Sequence, residues 1–488
     1  MSNIKRNLSF QTCYQILITV TPLITAPYLA RVLGAELQGL YSYRLSIVNY
    51  FTLAAVLGMT TYGTKVIAEH SKDRDQRNIA FAHMAIVQIA VSLLVTALYL
   101  IYCLLFASDD LVSWVLMLTM ISYVFDFNWF FFGIQKFDVT TGINSIAKIL
   151  NVVLILALVK SKQDFFIYAI IMSATTFLSF ALLIPFIINE IKSTKLTFPT
   201  LTQAKVHLKE SVILFVPILA QTIYHVMDKT MLGAISNYTQ TGYYYNADKL
   251  VCIPIGVVSG ICTVMLPKMV ELKVSGDKTK TIETFKTIIQ VLMCLSSAFC
   301  FGIISISESF VPFFYGEEYI PCISLVNALA FVIVLKSLSE GVKTQYLIPN
   351  SHNKCFIISV SSGAAINLIL NVILIPSMGA MGAVIGTLFA EITALLIQIL
   401  FVWGKERMFS ESFYLIGFLL SGFIMWIVLS LLPVSQMGYV NQLIIKVVTG
   451  IIIYAALILV YSVITPQKEL SRMLLNIMKG KKGGKSKL

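Results

Sequence analysis

Eight ionisable side chains lie within or beside long apolar runs of this 488-residue chain, and they sort by sign. Arg31, Arg44, Lys148, Lys229 and Lys249 are the cations; Asp126, Asp228 and Glu391 are the carboxylates. A charge held in hydrocarbon costs roughly 3 kcal/mol or more, so each should face a cavity or a partner. Dispersed cations around a wet cavity would grip a diphosphate or an acidic sugar through charge-assisted hydrogen bonds. The carboxylates would balance those charges, or bind a coupling cation such as H+ or Na+, when the cavity is empty. Plainer readings stand beside these. Lys148 and Asp126 can form a structural ion pair across neighbouring helices. Glu391 can bond to a Ser, Thr or Asn on a facing helix. Arg31 and Arg44 can be solvated at the membrane boundary. Asp228 and Lys229 are adjacent, so they diverge by about 100° around a helix and do not face one partner. His225 shares their helix face, as a packing histidine or as a proton relay. Lys446, close to the outer end of the last apolar run, is expected to snorkel to the interface. The eight cysteines show no C-x-x-C spacing, which leaves metal and redox chemistry without a motif.

These residues need elements to hold them, and the elements are apolar runs. The chain is 57% hydrophobic and only 12% charged, against about 25% charged in an ordinary soluble domain. Fourteen stretches approach the ~20 residues that a bilayer-crossing helix needs: 8–30, 45–64, 80–106, 111–134, 141–159, 165–189, 211–235, 251–267, 287–307, 320–335, 356–376, 379–403, 413–432 and 442–464. The expected fold is an all-α polytopic membrane protein. An even number of spans puts both termini on one side. By that parity 28 of the 36 Lys and Arg fall on the side of the termini and five on the other, which predicts cytoplasmic termini. The net charge of +12 is thus a topology signal, and nucleic acid is not an expected partner. The first run is too long for a signal-peptide core and is read as retained. The tail Lys479 to Lys487 is basic and is read as solvated beside anionic lipid heads.

The chain repeats itself. Leu33-Gly34-Ala35 followed by Gly39-Leu40-Tyr41 matches Leu232-Gly233-Ala234 followed by Gly242-Tyr243-Tyr244. Leu150-Asn151-Val152 matches Leu370-Asn371-Val372. Both matches lie six spans apart, so the repeats share one orientation, the arrangement of two parallel bundles about an axis along the membrane normal. This predicts six-helix bundles at 1–190 and 191–404, two extra helices within 405–464, and a basic tail at 465–488.

Three stretches carry a resemblance. Pro27 to Ser42, continuing through Leu57-Gly58-Met59-Thr60-Thr61-Tyr62-Gly63, resembles the opening of bacterial polysaccharide flippases. Asp126-Phe127-Asn128-Trp129, continuing to Gly133, resembles their fourth span. Asn367 to Thr387, with Pro376, Gly379, Gly382 and Gly386, resembles their span 11–12 hairpin. In that hairpin Pro376 is expected to end a helix, Gly379 and Gly382 to allow a tight turn, and Gly386 to permit close helix contact. The chain is similar, over about 460 residues, to the polysaccharide transporter branch of the multidrug/oligosaccharidyl-lipid/polysaccharide exporter superfamily. The resemblance implies translocation of an undecaprenyl-diphosphate-linked repeat unit to the outer leaflet for capsule, exopolysaccharide or O-antigen assembly. It also implies a bacterial cell membrane location and a polysaccharide polymerase and chain-length regulator as partners.

Rival readings differ in chemistry. A membrane polysaccharide polymerase would need paired catalytic carboxylates on both sides of a reacting bond. The outer loops are short, and the adjacent Glu317-Glu318 does not supply such a pair. A cation-coupled multidrug exporter of the same superfamily usually has 12 spans. A lipid II flippase also has 14.

Overall fold

The computed structural model describes residues 2–405 and 414–464, and all regular structure among them is helical. Two compact units meet at residue 242: Met1–Gly242 and Tyr243–Leu488. The first holds α1 (Ser2–Val56), α2 (Met59–Glu69), α3 (Arg74–Phe106), α4 (Leu111–Ser122), α5 (Asn128–Gly133), α6 (Phe137–Leu158), α7 (Phe165–Ala181), α8 (Ile184–Ile191) and α9 (Leu201–Ile235). The second holds most of α10 (Tyr238–Ser275), then α11 (Lys278–Tyr315), α12 (Cys322–Val342), α13 (Asn353–Met378), α14 (Ala380–Lys405), α15 (Tyr414–Ser430) and α16 (Tyr439–Ile464). Among the described residues eleven helices are long and apolar enough to cross a membrane, and 415–430 is a shorter apolar helix. The tail at 465–488 and the side chain of His225 lie outside the described residues.

Several boundaries differ from the sequence reading, each for a local reason. The expected loop between the first two spans is not a loop. The helix runs through Arg31 and Arg44 and turns at one residue, Gly34 (φ 76°, ψ 176°), a conformation open to glycine. The second span breaks at Leu57 and Gly58, both with positive φ, and resumes as α2. The fourth span is two helices: α4 ends in a 3-10 turn at Tyr123–Phe125, and the chain leaves helical geometry at Asp126 before α5 begins. Pro376 does not end its helix. α13 continues to Met378 and stops at Gly379 (φ 54°), whose amide closes on the Ile375 carbonyl. Gly382 and Gly386 behave as expected. A Cβ on Gly382 would stand 2.6 Å from the Leu374 carbonyl, and one on Gly386 would collide with Asn371 Oδ1.

Close approach through small residues also builds the first unit, as it must where lipid is as apolar as the side chains. Gly63 of α2 lies under the fully buried Trp129, and Gly133 of α5 lies against Ile67. Phe81, Phe127 and Phe130 pack edge-on or tilted around that indole, with centroids 4.7–6.2 Å apart. At the charged end, Glu190 of α8 is clasped by Arg77 (3.5 Å) and Lys136, while its carbonyl accepts from Arg74 and Asn78. In the second unit the core is centred on α11, which packs against α12, α15 and α16 around Phe285, Leu292, Cys300 and Phe418.

Candidate functional site

The two breaks in the first unit face one cavity. It measures about 430 Å³ and is lined by Asn49, Thr52 and Leu53 of α1, Thr60 and Thr61 of α2, Tyr123 and Asp126 at the α4–α5 break, and Thr222 of α9, among others. Sequence chemistry explains the second break. Asp126 accepts from the Asn128 amide (3.3 Å) and from Asn128 Nδ2 (2.7 Å), an Asx turn that competes with helical bonding. The backbone freed there is recaptured by Gln88 of α3, whose Nε2 donates to the Asp126 carbonyl at 2.9 Å. Gln88 Oε1 in turn accepts from the Trp129 indole at 2.7 Å. Unwound backbone in a membrane is tolerated where it lines a cavity, and both breaks do so. Thr60 and Thr61 are exposed at the edge of the cavity; Asp126 is half-buried.

The other expected site residues fall as follows. Lys148 is half-buried on α6, on the face that carries Asn144 and Asn151. Asn144 reaches Asn128 at 3.5 Å, and Asn151 donates to Thr175 of α7 at 2.9 Å. One contact chain therefore runs from the Lys148 face to Asp126. Asp228 is buried (3% exposed) and Lys229 half-buried on α9. Beside them Thr230 bonds Ser46 (2.8 Å) and Tyr50 (3.3 Å), which fixes α9 against α1. Arg31 is exposed. Arg44 is not solvated at a boundary. Its Nε lies 2.6 Å from Asp110 Oδ2, with the guanidinium 4.9 Å from the centre of the Tyr43 ring.

In the second unit Lys249 lies over the Tyr245 ring at 3.9 Å, a cation–π contact one helical turn apart. Glu391 of α14 is buried and forms an ion pair with Lys336 of α12 at 3.4 Å. The apolar run ends at 335, whereas the helix continues past it and carries Lys336. Lys446 does not snorkel. It is 8% exposed and donates to the Ser305 carbonyl at 3.0 Å.

Neutral oxygens were missed by reading charges alone: Asn49, Thr52, Thr60, Thr61 and Thr222. The Gly58-Met59-Thr60-Thr61 string and the Asp126-x-Asn128 pair were the available signals, since glycine followed by hydroxyls, and an Asx pair, both favour chain breaks.

Long apolar helices in two units, with a cavity built where two of the helices break, are the architecture of a membrane transporter. A family model described as "Polysaccharide biosynthesis protein" matches residues 4–273, more than half of the chain, and the chain belongs to that family within the polysaccharide exporter superfamily. A protein of Escherichia coli (strain K12), whose name provisionally assigns it to O-antigen transport, is 20% identical over 408 residues, 83% of this chain and 98% of its own. "Lipid II flippase MurJ" of Bacillus subtilis (strain 168) is 28% identical over 176 residues, 36% of this chain and 31% of its own. A solved structure titled "Lipid II flippase MurJ, inward closed conformation" superposes with a TM-score of 0.66 at 18% identity, over 93% of this chain and 98% of its own. An inward-facing multidrug resistance MATE family transporter gives 0.61 at 15% identity, over 80% and 95%. At those identities the structures share the fold.

Proposed function

We propose that this transporter is a flippase for a lipid-linked oligosaccharide. It would carry an undecaprenyl-diphosphate-linked repeat unit from the inner to the outer leaflet for capsule, exopolysaccharide or O-antigen assembly. The family match over residues 4–273 carries this reading, and the cavity at the helix breaks, which sets Asp126 and several neutral oxygens among apolar side chains, supports it. A glycan and its diphosphate lose their water contacts in hydrocarbon, so passage needs fixed donors and acceptors that replace them. Arg31, Lys148 and Lys229 are the cations we assign to the head group, with alternating access moving the site from one face to the other. Arg44 and Lys249 spend their charge on Asp110 and Tyr245, so their contribution is smaller. The termini are cytoplasmic in this reading. Release demands that no single clamp be tight, which favours a few separated cations. Exchange against H+ or Na+ would drive the cycle, with a polymerase and chain-length regulator acting downstream.

Reconstituted vesicles test this reading. Fluorescent lipid-linked oligosaccharide in the inner leaflet should become accessible to an external glycosidase only with active protein. Lys148→Ala and Lys229→Ala should each lower that rate at least about tenfold, the size expected for a lost charge-assisted contact, at unchanged protein level. The arginine replacements should keep part of it. Transfer at the wild-type rate by both alanine variants and the Arg31→Ala variant would rule out the head-group assignment.

A further inference from the structure

A cavity in the second unit joins an apolar groove to one cation. It measures about 420 Å³ and is walled by Gly302 and Ile306 of α11, Met425 and Leu429 of α15, and Gly450 and Tyr454 of α16, with Lys446 at one end. Its stripe on α16 runs from 446 to 455, about 14 Å at 1.5 Å per residue. Gly302 makes much of the room. A Cβ built there meets nothing within 4 Å, although α11 packs against α12, α15 and α16. Glycine inside a helix costs stability relative to alanine, so this one keeps a space open rather than letting a neighbour approach. An apolar cavity of about 150 Å³ takes one benzene ring, and by that scale this groove takes a chain of about 17 carbons. That is one fatty acyl tail.

The two polar side chains on the wall differ. The Tyr454 hydroxyl donates to the Cys294 carbonyl at 2.7 Å. Lys446 is buried, and its ammonium donates to the Ser305 carbonyl at 3.0 Å. An ammonium carries three N–H donors, and among the described residues no carboxylate pairs with this one. A buried charge met by one neutral carbonyl is costly, and an anion relieves that cost. Helical side chains lean toward the N-terminus of their helix, so the ammonium stands on the Tyr439 side of the groove, where a headgroup would emerge. We propose that the groove holds a resident anionic phospholipid, with one acyl tail between α11 and α16 and the phosphodiester on Lys446. One ammonium neutralises one phosphodiester through a charge-assisted hydrogen bond. A zwitterionic lipid brings a cation of its own that competes for the phosphate. An undecaprenyl tail is far too long for the space. The bound lipid would tie α15 and α16 to α11 and so stabilise the second unit. Binding needs neither substrate nor transport, so it stands apart from the flippase reading.

The test uses the full chain in detergent, stripped of endogenous lipid, with native mass spectrometry counting the lipids it retains. Dioleoylphosphatidylglycerol and dioleoylphosphatidylcholine, which share their tails and differ in net charge, are added in equal amounts. The wild type should hold one phosphatidylglycerol about tenfold more tightly than phosphatidylcholine, the ratio expected of a charge-assisted contact. Its melting temperature should rise with phosphatidylglycerol. Lys446→Met keeps the stem without the charge, and should lose both the preference and the thermal response; Lys446→Arg should keep them. Gly302→Leu fills the groove and should lose retention of either lipid. Glycerol phosphate, which has the anion and no tail, should produce no thermal response. Lys446→Met is expected to fold, because an apolar side chain leaves no unpaired charge, and it decides alone should Gly302→Leu not fold. Equal retention of the two lipids by the wild type would overturn the proposal, as would an unchanged preference in Lys446→Met. Displacement of phosphatidylglycerol by equimolar undecaprenyl phosphate would give the groove to the transported lipid and overturn it too. A failed transport assay leaves this result intact, and a failed lipid titration leaves the flippase reading intact.

Discussion

The α4–α5 segment of the first unit and α12 with its extension in the second show two ways of carrying charge in a membrane helix. In the first unit the helix stops, the chain turns at Asp126, and the carboxylate is left among neutral oxygens beside a cavity. In the second, the helix does not stop. It widens into a π-helical turn at Lys343–Leu347, whose Gln345 donates to the Cys262 carbonyl at 2.8 Å. Its charges are matched in pairs, Lys336 with Glu391 at 3.4 Å and Glu340 with Lys343 at 2.5 Å. A continuous helix satisfies its own backbone and must neutralise its charges through neighbours. A broken one frees carbonyls that neighbouring side chains must recapture, as Gln88 does at Asp126 and Ser211 at Leu57. The first segment leaves a carboxylate beside a cavity, and the second closes its charges on one another.

That contrast breaks most severely at Asp126. Asp126→Asn should abolish surface polysaccharide in a cell that depends on this chain, while the protein stays in the membrane at its normal level. Immunoblotting beside polysaccharide staining measures both, and normal export by the variant would erase the distinction between the segments.

Next in size is Glu391. Glu391→Gln removes the charge opposite Lys336 and should destabilise the second unit by about 3 kcal/mol, the cost of breaking a buried pair from one side. The Lys336→Met Glu391→Met double variant should recover most of that loss, because two apolar side chains leave no charge behind. Thermal unfolding of the purified protein reads both, and equal losses in the single and double variants would mean that the pair is not the relevant contact.

The smallest effect is expected at His207, which precedes the expected span 211–235 on α9. Its Nδ1 lies 2.8 Å from the Tyr62 hydroxyl. Burial, and then repulsion from His83, hold its imidazole below the ordinary value. A group that resists protonation in the folded state contributes stability that is full above the unfolded value, about 6.5, and that falls as pH drops through it toward the folded value. Melting temperature should therefore decline on acidification from pH 7.5 to 5.5, and His207→Gln should flatten part of that slope. An unchanged slope would remove the histidine from this account.

Local signals were the legible part of the molecule. Apolar runs located most helices, and the hairpin glycines at 379, 382 and 386 sit where small residues are needed. The Asp126 break was also written locally, in its Asx pair, but one unbroken run from 111 to 134 concealed it. Pairings distant in sequence were not legible. Nothing near Lys336 points to Glu391, and nothing near Arg44 points to Asp110, because both depend on which helix faces meet. The end of a hydrophobic run proved a poor guide to the end of a helix, since a long lysine can be carried a turn or more beyond it.

The glycines of the two matching motifs carry a last consequence. A Cβ on Gly39 would run into the Tyr238 carbonyl and the Gly242 amide, and a Cβ on Gly242 would run into the Ala35 carbonyl. Each motif is thus the surface against which the other is moulded. A substitution in one motif is felt immediately by the other, so the two cannot change independently. Any change of shape tolerated here would have to arrive as a matched pair, which makes this junction a slow-moving part of an otherwise permissive helical sequence.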